Sequence, residues 1–191
     1  MTHPDAIDTL VGISPGSHLA GLRAQRVQAR DNAQASYLAL FHPAEPVAIS
    51  LVERYAIAVF VAGLHRQPAI QAFYAAGLSA QPDLLLMLDA EIERGATAGP
   101  YGAYPDGPLS AEDKDGPSFT SITAVGPRLQ AALAHTHMLV FHPRDAQAQA
   151  LRRLEAAGWS ATGIVTLSQL VAFLSFQIRV IVGLRALAKA N

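Results

Sequence analysis

Five side chains carry the chemistry this sequence offers: Glu53, Tyr55, His65, Tyr74 and Arg179. Imidazole titrates near neutral pH, so His65 close to Tyr55 and Tyr74 has the make-up of an acid–base site. The plainer role for His65, with Arg66, is that of a cation at a helix C-terminus, satisfying free carbonyls. Arg179 stands in an otherwise apolar segment, where a buried guanidinium needs a partner. Glu53 is the natural choice. That pair reads as a structural bridge, or, if Glu53 pairs elsewhere, Arg179 is left to receive a substrate carboxylate. Tyr55 and Tyr74 either donate hydrogen bonds to a ligand or serve as core residues with one polar contact each.

Other constellations are poorer. His135 and His137 are two apart, which on a helix turns them to nearly opposite sides, so no metal ion is expected between them. His42 and His142 both precede proline and read as loop residues. The acidic cluster Glu112, Asp113 and Asp115 lacks the alternating ligand pattern of a calcium loop and reads as solvated. There is no glycine-rich phosphate cradle and no nucleophile elbow, and no cofactor is expected. The chain has no cysteine. That removes disulfides, thiolate catalysis and cysteine-ligated metals together.

The elements that must position these residues are helices. Hydrophobic residues make up 51% of the 191 and charged ones 15%, an apolar content that calls for surface buried between subunits. A net charge of −1 leaves no basic footprint for nucleic acid. The longest uninterrupted apolar runs, such as Ala56 to Leu64, are too short to span a bilayer, and the N-terminus lacks a signal-peptide pattern. A cytoplasmic protein without membrane contact is expected. Residues 1–16 read as an arm, 17–94 as a first helical half, 95–124 as an irregular linker rich in Gly and Pro, and 125–191 as a second half, together one all-α domain.

Within these limits Ser17 caps a helix to about Arg26, and Asp31 caps the next, which ends near Phe41. Pro46 suits the first turn of a third, broken between Gly63 and Pro68. Pro68 opens a fourth, and residues 81–93 form a fifth. Helices resume over about 125–141, 145–157 and 160–189. The last is apolar on both sides, as a fully buried or interface helix is. Tyr37-Leu-Ala-Leu-Phe-His-Pro is answered by His137-Met-Leu-Val-Phe-His-Pro. Either a helical unit is duplicated, or Phe-His-Pro is a workable helix stop used twice.

Two stretches carry a family resemblance. The first is Glu53 to Leu78, a long helix, a break and a second helix. The other runs from Ala157-Gly-Trp-Ser into a helix containing Phe176, Arg179, Val180, Gly183 and Leu184, with Ile178 where an asparagine is expected. In this order and spacing they resemble the alkylhydroperoxidase D / carboxymuconolactone decarboxylase family, in its peroxidase-related branch. The resemblance implies an AhpD-like helical bundle that assembles as a dimer, trimer or hexamer. It implies also a glutamate, a Cys-x-x-Cys and a histidine acting together. Those positions fall here on Tyr55, on Gln67 and Ile70, and on Tyr74. The redox set is replaced as a whole, so dithiol peroxidase activity is excluded. Three functions are compatible: binding of a small molecule or partner protein in the vacated pocket; cysteine-free acid–base catalysis of the decarboxylase type, using Glu53, Tyr55, His65 and Arg179; or service as an assembly subunit.

Overall fold

The computed structural model describes residues 3–190. It is all-α, as expected: among the described residues the extended pairing is limited to one isolated bridge between Gly102 and Lys114. The helices are α1 Ala6–Val11, α2 His18–Ala24, α3 Val27–Phe41, α4 Leu51–Leu64, α5 Pro68–Ala75, α6 Pro82–Gly95, α7 Pro127–Phe141, α8 Ala148–Ala156 and α9 Ala161–Ala190.

Helix α4 is the centre. Every residue from Ala56 to Leu64 is buried, and α5, α6, α7 and α9 pack around it. A helix apolar on all sides is stable only inside such a shell. It begins at Leu51, not at Pro46. Ser50 Oγ accepts from the Glu53 backbone N–H, and the Glu53 carboxylate accepts from the Ser50 backbone N–H. This capping box satisfies two free donors at once, which proline cannot do. Asp31, likewise, lies inside α3 rather than capping it.

The N-terminal segment expected to be an arm carries α1. Asp5 caps it, Ala6 and Ile7 are buried, and the helix packs on α9. Arg23 ties α2 to it through Asp5 at 2.9 Å and through Asp8. The 95–124 segment is irregular, with a short 3-10 turn at Pro108–Glu112. It is held by Glu91, whose fully buried Oε1 accepts from Ser121 Oγ at 2.9 Å and from the backbone N–H groups of Ile122 and Thr123, each at 2.8 Å.

Helix α9 is not buried on all sides. Ile164, Leu167, Leu170, Val171, Leu174, Ile178 and Ile181 face the core, while Val165, Phe176, Val182 and Leu187 are exposed. Over its 30 residues it is also long and apolar enough, by length and composition, to cross a membrane, with 33% of its most apolar window buried. The expectation that every apolar stretch is too short considered unbroken runs. Single polar residues such as Gln169 and Gln177 split the runs of α9 without lowering its mean hydropathy much.

The two Phe-His-Pro stops have the same backbone. His42 (φ −132°, ψ 46°) donates its N–H to Leu38 O, and His142 (φ −128°, ψ 47°) to Met138 O, each ending a 15-residue helix. Beyond the two prolines the chain diverges: an open segment and then the core helix α4 in one case, a 3-10 turn and the amphipathic surface helix α8 in the other. His142 is buried rather than solvated, bonding Asp145 and Pro117 O.

Candidate functional site

The break after α4 has a defined geometry. Arg66 adopts φ 55°, the left-handed region that disfavours a Cβ. Its N–H donates to Gly63 O at 2.8 Å and that of Gln67 to Ala62 O at 3.0 Å, satisfying the last carbonyls of α4. His65, the C-cap, therefore leaves the helix turned toward α9. Pro68 then starts α5 at once, since its missing N–H needs no acceptor there.

His65 lines a cavity of about 730 Å³ between α7, α9 and the loop at Gly99 and Pro100. Its Nε2 lies 3.4 Å from Ser175 Oγ. Burial, and secondarily the charge of Arg179, lower its pKa, so it is neutral at pH 7. Ser168, Ser175 and Arg179 reach the same space from α9, and Arg144 from the turn after α7. Leu139, Val140 and Val171 give it an apolar wall. Arg144 is held by Tyr101 O, Gly102 O and Tyr104 Oη and stacks 3.8 Å from the Tyr104 ring centroid. Among the described residues Arg179 bonds only the carbonyl of Ser175, one turn back, at 3.2 Å, and its side chain is exposed. The cavity lining includes, among the described residues, two guanidinium groups and no carboxylate.

Of the five candidates, the structure brings His65 and Arg179 together and leaves the other three elsewhere. Glu53 does not pair with Arg179. Its Oε1 accepts from Arg128 Nε at 2.6 Å while the other oxygen serves the capping box. Burial opposes its ionisation, but the hydrogen bonds from Arg128 and Ser50 hold its pKa below the usual carboxylate value. The buried arginines are Arg23, paired with Asp5 and Asp8, and Arg54, which donates to Ile49 O and Leu40 O from inside the core. Tyr74 is fully buried, donates to Gln177 Oε1, and has its pKa pushed far up by burial. Tyr55 is half-buried, its ring against Gly77 and 5.2 Å from that of Phe41. Gln67 is the partly exposed N-cap of α5, while Ile70 is completely buried in packed core. The open volume lies one turn upstream, at His65.

Ser168, Ser175 and Arg144 were not singled out by sequence reasoning. Ser168, Ala172, Ser175 and Arg179 recur at helical spacing on α9, so a polar and small-residue stripe in an apolar helix was the signal available. Ser168 Oγ donates to Ile164 O at 2.9 Å, so it accepts from His135 Nε2 at 3.3 Å, which leaves His135 Nδ1 buried and unpartnered. His135 also lines a second cavity of about 490 Å³ beside α8. His137 points elsewhere, to Gly95 O at 3.1 Å, and the two histidines do not converge. Among the described residues no group of three or more His, Asp or Glu is placed to hold a metal ion.

No protein-family model and no curated protein matches this chain.

Proposed function

We propose that this protein is a cysteine-free member of the AhpD-like lineage that binds a small organic molecule in the cavity at the end of α4. The reading rests on one observation: His65, Ser168, Ser175, Arg144 and Arg179, from three separate parts of the chain, converge on one partly apolar space. A few polar groups over an apolar wall are the usual make-up of a small-molecule site. The helix–break–helix at Leu64 to Pro68 and the position of Phe176 to Leu184 on one long helix accord with the lineage. Peroxide turnover is expected at background, since the chain has no thiol.

The test is a thermal-shift screen of small organic acids, alcohols and amides against the wild type and against His65→Ala and Arg179→Ala. A binder is expected to raise the melting temperature of the wild type and to lose at least ~tenfold in affinity on either variant. Binders that ignore both substitutions would place the site elsewhere and refute the proposal, as would a screen with no binder.

A second reading, acid–base catalysis, is favoured by the neutral, half-buried imidazole of His65 at the cavity wall. Tyr55 and Tyr74 cannot assist it from their positions in the core. Turnover of a bound ligand by the wild type, abolished in His65→Gln with binding retained, supports this reading; binding without turnover refutes it.

A further inference from the structure

We propose that the cavity beside α8 is a second ligand site, which takes a neutral aromatic heterocycle through an N–H donated to His135 Nδ1. The cavity encloses about 490 Å³, room for a two-ring molecule. It exists because the helices that line it carry small side chains there, Ala131 and Ala134 on α7 and Ala150 on α8. Phe119, from the irregular segment, and Met138 complete the apolar surface. Benzyl and thioether groups both pack favourably against aromatic rings.

The polar requirement is set from α9. The Ser168 hydroxyl donates to Ile164 O at 2.9 Å, so its oxygen accepts from His135, and the proton of that imidazole is fixed on Nε2. Nδ1 then carries a lone pair. It lies inside the cavity wall with no donor among the described residues, on a side chain only 6% exposed. A buried acceptor left empty costs free energy that a ligand donor recovers. The histidine χ2 torsion is broad, so the ring can turn its Nδ1 edge toward the cavity within its rotamer. Charge does not select the ligand. Among the described residues the lining includes one carboxylate, Asp145, and one guanidinium, Arg153, and Asp145 is bonded to His142 Nδ1 at 2.9 Å. An ionic ligand would give up its hydration without a free partner of opposite sign in excess, whereas a neutral N–H donor meets the buried acceptor.

The experiment is NMR on the full chain with isotope-labelled histidine, titrated with indole and with N-methylindole, which keeps the ring system but has no N–H. Indole is expected to bind and to move the His135 Nδ1 resonance while Nε2 keeps its proton. N-methylindole is expected to bind at least ~tenfold more weakly. His135→Phe assigns the resonance and is expected to bind the two compounds alike. Ala134→Phe fills the cavity and is expected to weaken indole by ~tenfold or more. His65→Ala leaves indole binding unchanged, so this site and the one at the end of α4 stand or fall separately. The comparison of the two compounds on the wild type depends on no variant folding. Absence of indole binding, equal binding of both compounds to the wild type, or a His135 ring that does not respond refutes the proposal, as does indole binding that Ala134→Phe leaves intact.

Discussion

Replacing Glu91 tests whether one carboxylate holds the long loop that walls the site. Its Oε1 takes three hydrogen bonds, from Ser121 Oγ and from the backbone N–H groups of Ile122 and Thr123, and its Oε2 takes one from Arg94 at 2.7 Å. Hydrogen bonds to a charged acceptor contribute about 1.5 kcal/mol each. Three of them make about 4.5 kcal/mol, and water recovers part of this at the exposed Ile122. The Arg94 pair is 39% exposed on the arginine side and adds little after screening. Glu91→Ala is therefore expected to cost about 3 kcal/mol, and Glu91→Gln, which keeps one acceptor oxygen, about 1–2 kcal/mol. Urea denaturation followed by circular dichroism at pH 7 measures both.

The pH dependence gives a second reading of the same carboxylate. Burial raises its pKa, but the hydrogen bonds from Thr123, Ile122 and Ser121 together outweigh that and leave it below the ordinary 4.5. A carboxylate with a lowered folded pKa stabilises the fold above its unfolded value, and that contribution fades as pH falls through the folded one. The gap between wild type and Glu91→Gln is thus expected to be constant from neutral pH down to about 5 and to narrow below it. An alanine variant within about 0.5 kcal/mol of wild type, or a gap unchanged at about pH 3, refutes the argument.

Arg66→Gly relieves a left-handed residue and is expected to stabilise by about 0.5–1 kcal/mol in the same urea assay, the gain reduced by the greater freedom of glycine in the unfolded chain. Gly77→Ala does the reverse: an added Cβ meets the Tyr55 ring at 2.5 Å, and a loss of about 1–3 kcal/mol is expected. Arg54→Met removes a guanidinium bonded to Ile49 O and Leu40 O, leaving two carbonyls short of a donor at a cost of about 2–3 kcal/mol. His65, His135 and His137 all have pKa values lowered, chiefly by burial. Protonation therefore favours the unfolded chain, and the melting temperature should fall as pH drops below about 6.5, by calorimetry, with His135→Asn flattening that slope.

Much of the helical plan was legible because it is local. Ser17 before α2, Pro68 at the start of α5 and Pro143 after α7 act through nearby backbone, and each is visible in a window of a few residues. The start of α4 misled because two signals compete there, and the Ser50–Glu53 box outweighs the proline four residues earlier. The site was half legible. His65 could be picked out by its position at a helix end, and Arg179 by its isolation among apolar residues. Their meeting across 114 positions depends on how α4 packs on α9, and no short-range pattern encodes that. Glu53 went wrong for the same reason: Arg128, its actual partner, lies 75 positions away on α7 and is one of several arginines equally eligible by type.

The burial of α4 sets how this protein can change over time. From Ala56 to Leu64 every residue is buried and the helix is enclosed by α5, α6, α7 and α9, so no position on it drifts alone. His65 sits at the end of that rod, one residue past the last enclosed side chain. The stripe on α9 that faces it has no such constraint at Ser168, Ser175 or Arg179, which border open space. New ligand preferences are therefore most accessible through α9, with the imidazole as a fixed reference point against which those three positions vary.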